Sequence, residues 1–226
     1  MARPSDPHAK SRLLEAAEQV FSEKGLDHAK VEDITTAAGL SKGAFYLHFA
    51  SKSDAFSELV SRVLAHLGAV LSEAEGSCGQ ALERGLPSFF GYCLAKDVEI
   101  YEFIWKNRAL VRVMLEGGRS ADQLHLIEDF AQRAQVQTEN FLRIGQQAGL
   151  YRADLDVEAA AAFIAGGYDR LARQLVREKK KPDLRKRLLD VQRLVISGLG
   201  SPIAISTIEK LHTQGAPQTE SAALQR

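Results

Sequence analysis

Hydrophobic residues recur every three or four positions along most of the chain, which is the spacing of amphipathic helices. Alternating patterns typical of strands are scarce. Beyond residue 60 the helical spacing continues through segments near 80–95, 98–116, 121–148, 157–178 and 183–199. The pattern predicts an all-α protein. Helix-breaking residues separate these segments: Gly76 and Gly79, Gly117 and Gly118, Gly149 with Asp154 and Asp156, and Pro182.

Shorter periodic segments near the N-terminus are joined by strong turn signals. A short helix over residues 31–38 ends at Gly39, the residue type that best tolerates a left-handed conformation. Ser41 stands where an N-cap would start a second helix at 42–47. Two short helices joined by a glycine turn make a helix-turn-helix, whose second helix enters the major groove of DNA.

The second helix has the side chains for that contact. Lys42, Tyr46 and His48 offer donors to phosphates or base edges, while Phe45 and Phe49 are expected to face inward as anchors. Singly, each of these residues is as readily a core aromatic, a solvated cation or a surface histidine. Together, at this spacing, they favour DNA contact.

Two further features are expected to support DNA contact, one through the backbone and one through a lysine side chain. Gly43 has no side chain, so the first turn of the second helix can lie near the duplex. Ser51 and Asp54 form a capping-box-like pair that predicts the start of a fourth helix. Lys52 falls in the first turn of that helix, where a cation and free amides suit a phosphate.

The run ITTAAGLSKGAFYLHFASK, over residues 34–52, resembles the head of the tetracycline-repressor (TetR) family. The resemblance implies a three-helix DNA-binding head over residues 1–55 and a helical ligand-binding and dimerisation body over residues 56–200. Two positions depart from the family pattern: Lys30 stands where a capping Thr or Ser is usual, and Ala44 where a phosphate-binding Thr is common.

The resemblance also implies roles for individual residues of the head. The start of the recognition helix, its aromatic and histidine positions and the lysine of the next helix would contact bases or phosphates. Acidic residues slightly outnumber basic ones over residues 1–55, so the lysines must cluster on one surface. The predicted DNA-contacting residues are Lys30, Ser41, Lys42, Gly43, Ala44, Tyr46, His48 and Lys52.

Composition narrows the class of protein. The chain has 226 residues, 45% hydrophobic and 26% charged, with a formal net charge of zero, which fits a soluble protein with one local DNA site. Cys78 and Cys93 are too few and too far apart for a disulfide framework, so a reducing cytoplasm is expected. We find no apolar run of about 18 residues and no signal peptide, and therefore expect no membrane partner.

The last two long segments carry apolar stripes suited to self-association as a four-helix bundle, which is where TetR proteins dimerise. The open alternative is that the stripes bury only the core of one chain. The basic run at 177–187 between them is expected to be a solvated connector, with a nucleic-acid patch as the alternative. The predicted interface residues are Phe163, Ile164, Gly167, Leu171, Leu175, Leu184, Leu188, Val191 and Val195.

The middle of the chain, residues 86–141, holds most of the aromatic residues. The resemblance implies an apolar ligand pocket there, with a few polar groups to orient the ligand. Plain core packing is the alternative for each residue. The predicted ligand-binding residues are Phe89, Phe103, Trp105, Arg108, Arg112, Phe130, Gln137, Asn140 and Phe141.

Motifs for catalysis are lacking: the chain has no nucleophile elbow, phosphate loop or zinc-protease motif. We therefore predict no catalytic residue, metal or cofactor. His125 and Asp129, one helical turn apart, are expected to form a surface ion pair. Residues 201–226 lose periodicity and are expected to form a mobile tail, with a possible short helix at 203–211.

These patterns favour a homodimeric, ligand-responsive transcriptional regulator. We expect a repressor that binds a palindromic operator and that a mostly apolar small molecule releases from it. An activator or a ligand-independent regulator of the same fold remains an alternative. The alternative from a different class is an all-α enzyme or ligand carrier whose head no longer binds DNA.

Overall fold

The computed structural model describes residues 7–117 and 121–213. All regular structure within these residues is helical, which confirms the all-α prediction. The helices are α1 (Ala9–His28), α2 (Val31–Ala38), α3 (Lys42–Tyr46), α4 (Lys52–Glu83), α5 (Leu86–Lys106), α6 (Arg108–Glu116), α7 (Ala121–Gln147), α8 (Val157–Leu175), α9 (Leu184–Leu199) and α10 (Pro202–Thr213).

The chain divides into two compact units, which are described separately. The first contains the described parts of residues 1–67, 104–130 and 173–177. The second contains those of residues 68–103, 131–172 and 178–226. The first unit extends past residue 55 and includes α6, and the domain boundaries expected from the sequence stay a prediction.

The core of the first unit forms where α1 packs on α2, α3 and α6. Phe21 of α1 meets Phe56 of α4 edge to face, with ring centroids 5.2 Å apart, and Phe45 of α3 is fully buried. Gln123 of α7 is also buried and donates from Nε2 to Ser53 Oγ on α4 at 3.1 Å. The short helices of the head therefore share one core with the start of α4.

The core of the second unit is built from α4, α5, α7, α8, α9 and α10. Its aromatic members Phe89, Phe90 and Tyr151 are buried together with Leu142 and Ile196. An antiparallel bridge between Tyr151 and Gly200 holds the chain after α7 beside the end of α9. This core lies in the part of the chain where the sequence predicted ligand-binding aromatics.

Helix α4 is longer than predicted because it continues through Gly76 and Gly79, where a break was expected. A glycine inside a helix costs only about 1 kcal/mol relative to alanine. Cys78 and Ala81, in the same stretch, are buried in the protein, and this burial offsets the cost. The helix ends instead before Gly85.

The next break is also displaced from its predicted place. Only residues 96–97 lie between the predicted segments 80–95 and 98–116, but α5 is continuous through them and the chain breaks at Asn107. Lys96 is held by neighbouring side chains, since its Nζ lies 2.9 Å from Glu73 and 3.0 Å from Glu99. The charged residues Lys96 and Asp97 therefore lie within a continuous helix.

Part of the expected mobile tail is helical. Helix α10 includes the short helix suggested at 203–211, and its Ala204 and Ile208 are fully buried in the core of the second unit. Mobility remains a prediction for residues 214–226, which lie outside the described residues.

Candidate nucleic-acid interface

The turn between α2 and α3 has the geometry that the sequence predicted. Gly39 adopts a left-handed conformation with φ of 62°, and Leu40 N donates to Thr35 O at 2.9 Å. Arg12 of α1 adds a contact that was not predicted, because its Nη2 donates to Ala38 O at 2.6 Å. A backbone turn and a side chain from α1 together fix where α3 begins.

Helix α3 is anchored from inside by its capping serine and its aromatic residues. Ser41 Oγ accepts a hydrogen bond from Ala44 N at 3.1 Å, which confirms the predicted N-cap. Phe45 and Phe49 are buried, as expected, with ring centroids 5.4 Å apart. The predicted DNA-contacting residue Ala44 is partly buried, and its amide is already used by the serine.

The opposite face of α3 and its C-terminal end are exposed. Tyr46 is 57% exposed and Leu47 is 79% exposed, and Lys42 and His48 are also exposed. The sequence analysis did not include Leu47, although a large apolar residue between two polar outward positions was a visible signal. These side chains form a mixed polar and apolar surface on a buried aromatic base.

Gly43 leaves space on the outer side of α3. A Cβ built there would meet Ser41 Oγ at 3.7 Å, which is ordinary contact. The fold itself therefore accepts a larger residue at this position. Close approach of DNA to the backbone at Gly43 stays a prediction.

Lys42 is held by an acidic partner in the free protein. Its Nζ pairs with Glu32 Oε1 on α2, and both side chains are more than half exposed. The hydrogen bond between them raises the pKa of Lys42 and lowers the pKa of Glu32. A phosphate or guanine that binds Lys42 would replace this carboxylate.

Lys30 caps α2 through its backbone and not through its side chain. Its amide donates to Asp33 Oδ2 at 3.0 Å, and Asp33 also pairs with Lys24 Nζ at 2.8 Å. Asp33 thus supplies the reciprocal half of a capping box, on the Lys30 amide, and not the acceptor that a Thr or Ser side chain would offer to the first amides of α2. The Lys30 side chain is exposed.

Lys52 has a structural role that the sequence analysis missed. Its Nζ donates to three backbone carbonyls at the end of α1: Leu26 O at 2.8 Å, Asp27 O at 3.0 Å and Ala29 O at 2.9 Å. These bonds engage all three ammonium protons. A phosphate contact, as predicted for Lys52, would have to replace at least one of them.

Comparisons with known proteins agree with this geometry. The model of the family described as bacterial regulatory proteins, tetR family, matches residues 13–59. The transcriptional repressor KstR2 of Mycobacterium tuberculosis is 33% identical over 158 residues, which cover 69% of this chain and 75% of that protein. The chain belongs to the TetR family.

Two solved structures share the TetR fold with this chain. SmeT of Stenotrophomonas maltophilia, a multidrug efflux pump repressor solved in complex with triclosan, has a TM-score of 0.70 at 21% identity and covers 86% of this chain and 92% of its own. FadR of Bacillus subtilis, in complex with stearoyl-CoA, has a TM-score of 0.64 at 21% identity, with coverages of 83% and 98%.

This TetR protein is accordingly a DNA-binding transcriptional regulator and not an enzyme. Among residues 7–117 and 121–213, no group of three or more His, Cys, Asp or Glu side chains could hold a metal ion. His125 and Asp129 form the expected surface ion pair, with 3.5 Å between Nε2 and Oδ2.

The nine predicted ligand-binding residues are divided between the two units. Trp105, Arg108, Arg112 and Phe130 belong to the first, and the other five to the second. In the first unit Arg108 stacks its guanidinium over Trp105, 4.5 Å from the ring centroid. Arg112 lines an open cleft of about 210 Å³ beside the end of α1.

In the second unit two of the predicted aromatics stack on each other. Phe89 is buried, and its ring centroid lies 5.3 Å from that of Phe141. Phe103 is only partly buried. This pair belongs to the apolar core, where both residues have a packing role.

Two of the four predicted polar ligand groups, Gln137 and Asn140, already have partners on α4. Gln137 Nε2 donates to Ser72 Oγ at 3.0 Å, and Asn140 Nδ2 donates to Glu75 Oε1 at 3.0 Å. These bonds tie α7 to α4 within the second unit. Ligand contact by Gln137 and Asn140 stays a prediction.

The predicted dimer interface needs correction at Leu175, Leu184 and Leu188. These residues are 0%, 3% and 0% exposed within one chain, so a second copy cannot cover them. An apolar stripe does not indicate which of its members face the chain's own core. Of the other six, Phe163 is 82% exposed and Gly167 is exposed, while Ile164, Leu171, Val191 and Val195 are partly buried.

Two exposed apolar residues were missed in the sequence. Leu194 of α9 is 73% exposed and Ile203 of α10 is 70% exposed. Leu194 follows Val191 by three positions on the same helical face, which was the available signal. The exposed or partly exposed residues Phe163 of α8 and Val191, Leu194 and Val195 of α9 are together called the apolar surface below.

Part of the basic connector at 177–187 is paired with the chain's own acids, including Arg187 with Glu178. Arg177 pairs with Glu116 at 2.5 Å in the first unit. Lys181 pairs with Glu102 at 2.6 Å in the second. This pairing supports the interpretation of a solvated connector over that of a nucleic-acid patch.

Among the described residues, α4 is long and apolar enough to cross a membrane by length and composition. Core helices of soluble proteins meet the same criterion, and 44% of the stretch concerned is buried within the protein. The absence of a membrane partner stays a prediction.

Proposed function

We propose that this regulator is a homodimeric repressor that binds a pseudo-palindromic operator and is released from it by a small molecule. The observation that carries the proposal is the outward face of α3. Lys42, Tyr46, Leu47 and His48 are exposed there, while Phe45 and Phe49 hold the helix from inside. Its relative KstR2 of Mycobacterium tuberculosis is a transcriptional repressor. We infer that this regulator acts in the cytoplasm.

Dimerisation would bring two such faces to one duplex. A two-fold dimer presents two equivalent recognition helices, which reach major grooves about 34 to 36 Å apart or a multiple of that distance. The apolar surface is the support for this step, because Phe163 and Leu194 are large, apolar and more than 70% exposed. Side chains of this kind are usually covered by a partner when they cluster.

The effector is proposed to be a mostly apolar small molecule. Triclosan and stearoyl-CoA, bound in the structures of SmeT and FadR, both carry large apolar parts. The aromatic core around Phe89 and Phe141 offers similar chemistry in the second unit. An effector releases DNA only if it prefers the arrangement of the dimer that cannot bind DNA.

The DNA-binding proposal is tested by selecting bound duplexes from a random pool. Lys42→Ala should change preference at one base pair, with a cost of about 1 to 3 kcal/mol if the lysine reaches a guanine. Lys180→Ala is the matched control, because Lys180 is an exposed lysine of the basic connector and should not matter. Recovery of only asymmetric or random sequences would contradict the proposal.

The dimer is tested by placing charge on the apolar surface. Leu194→Asp and Phe163→Asp should give folded monomers, because an aspartate is tolerated in water but not in an apolar interface. Leu188→Asp, in contrast, should unfold the chain, since Leu188 is fully buried. Sedimentation and circular dichroism distinguish these outcomes. A wild-type chain that is monomeric at micromolar concentration would refute the dimer.

Effector control is tested by measuring operator affinity with and without triclosan or stearoyl-CoA. A coupling of about 1 to 3 kcal/mol would lower operator affinity roughly 5- to 150-fold. By reciprocity, saturating operator must weaken binding of that compound by the same factor. Trp105, the only tryptophan of the chain, provides a fluorescence signal. A compound that binds without changing operator affinity would leave only a carrier role.

A further inference from the structure

Helix α5 carries one acidic residue in an otherwise uncharged inner stripe. Phe89, Cys93, Asp97 and Tyr101 follow each other at four-residue spacing, so they lie along one side of the helix. Phe89 and Tyr101 are buried, and Cys93 packs against the core of the second unit. Asp97 therefore lies about one helical turn from Cys93 and two turns from Phe89, on the side of α5 that carries these core residues.

The carboxylate of Asp97 is bound by a tyrosine from α8. Tyr168 Oη donates to Asp97 Oδ2 at 2.7 Å. Tyr101 holds that tyrosine in place, because Tyr101 Oη donates to the backbone oxygen of Tyr168 at 2.7 Å and the two rings meet edge to face at 6.1 Å. Asp97 and Tyr168 are both partly buried, so solvent reaches the pair.

No cation compensates Asp97 within residues 7–117 and 121–213. Its Oδ1 atom has no hydrogen-bond donor there, and the adjacent Lys96 is directed to Glu73 and Glu99. Burial raises the pKa of Asp97 to about 7, against the lowering effect of the Tyr168 hydroxyl. An ionised carboxylate in this position lacks the partner that buried charges usually have.

A negative charge on residue 97 does not stabilise the folded protein. An asparagine would accept the same hydrogen bond from Tyr168 without the cost of removing a charge from water. Costly polar groups of this kind cluster at sites that bind something. A positively charged group would satisfy both the free oxygen and the charge.

We propose that Asp97 and Tyr168 form the polar anchor of the effector site, and that the effector carries a protonated amine on an apolar body. The amine would donate to the free Oδ1 atom, and the apolar body would lie along α5 beside Cys93, which is only partly buried. This inference rests on the proposed effector control and specifies the chemical class of the effector.

Three probes with the same chain and different head groups test the anchor: octylamine, octanol and octanoate. Their binding is measured by calorimetry at about pH 8, where Asp97 is ionised. Wild type should bind octylamine about tenfold or more tightly than octanol, and octanoate more weakly than both. Asp97→Asn should abolish the preference for the amine, and Tyr168→Phe should reduce it. Asp154→Asn, an exposed acid of the same unit, is the control and should bind as wild type does.

Several outcomes would overturn the anchor. Equal binding of octylamine and octanol by wild type would show that Asp97 does not select a cation. Retention of the preference in Asp97→Asn would place the amine elsewhere, and failure of all three probes to bind would remove the site. If triclosan or stearoyl-CoA still releases the operator in any of these cases, effector control stands without this anchor. If octylamine binds through Asp97 and operator affinity is unchanged, the anchor stands and effector control by this site fails.

Discussion

Replacing Asp97 with asparagine should make the folded protein more stable at neutral and mildly alkaline pH. The substitution keeps the shape of the side chain and an acceptor for the Tyr168 hydroxyl, which lies 2.7 Å from Oδ2. It removes a charge that burial disfavours. The folded state then no longer holds an uncompensated carboxylate.

The magnitude follows from the pKa of Asp97, which burial raises from 3.8 to about 7. Between these values the folded protein retains a proton that the unfolded chain releases, so stability falls as pH rises. The contribution is fully present below about pH 3.8 and lost above about pH 7. Each pKa unit is worth about 1.4 kcal/mol, which gives a total of about 4 kcal/mol.

The buried thiols and phenols of this region do not titrate in this window. The pKa values of Cys93, Tyr101 and Tyr168 are raised above their usual values by burial, as are those of Cys78 and Tyr151. All of them remain protonated between about pH 4 and about pH 8. A difference between wild type and Asp97→Asn in this range therefore reports Asp97 itself.

Urea unfolding followed by circular dichroism at about pH 4.5 and about pH 8 measures the effect. The free energy of unfolding of Asp97→Asn relative to wild type should increase by about 3 kcal/mol between these two values. Asp154→Asn, whose side chain is 82% exposed in the wild type, should show no comparable change. If the relative stability of Asp97→Asn is the same at both pH values, Asp97 is solvated and the argument for its cost is wrong.

Three predictions concern the head. Lys52→Met should lower stability by about 1.5 to 3 kcal/mol in thermal unfolding, because carbonyls at the end of α1 lose a charged donor; an unchanged melting temperature would refute the capping role. Gly39→Ala should cost about 1 to 2 kcal/mol, because φ is 62° and a Cβ would lie 3.3 Å from Arg12 Nη2, whereas Gly76→Ala, in open space inside α4, should not destabilise. Leu47→Ala should weaken operator binding. Replacing the contacted thymine by uracil, which lacks the methyl group, should then weaken binding by this variant little further, because both changes remove the same apolar contact. Fully additive losses of affinity would show that Leu47 does not meet a thymine methyl.

The head was predictable because its signals are local in sequence. Gly39, Ser41 and the pair Ser51 and Asp54 act on amides within a few residues of themselves, so spacing alone reveals them. The structure confirms each one: Gly39 is left-handed, Ser41 caps α3, and Asp54 N donates to Ser51 Oγ at 3.1 Å. The carboxylate of Asp54 differs in one detail, since it accepts from Ala50 N.

The missed contacts join residues that are distant in sequence. Lys52 donates to carbonyls 23 to 26 positions away, and Arg12 donates to a carbonyl 26 positions away. Neither acceptor has a sequence signature, because every residue carries a carbonyl. Lysine at a helix start is therefore easily interpreted as a phosphate ligand when its real acceptors are invisible.

The sequence also did not reveal which apolar residues of a helix face the core and which face outward. Helix α9 has apolar residues on more than one side: Leu188 faces the core and Leu194 faces outward. Periodicity shows that such residues share a helix face, but not which neighbour covers that face. Asp97 was missed for a related reason, since a single acid among aromatic residues has no fixed spacing to a partner on α8.

The contacts of the recognition helix restrict how an effector can act. Helix α3 has only 5 residues, too few to be stable alone, so its orientation depends on its anchors. Buried Phe45 and Phe49 fix it from below, and Arg12 and Lys52 join α1 to the ends of the neighbouring helices. Remodelling α3 within one head would break several of these contacts at once. A coupling of about 1 to 3 kcal/mol is too small to break these contacts. A change in the spacing of the two heads of a dimer, in contrast, leaves all of the contacts within each head intact.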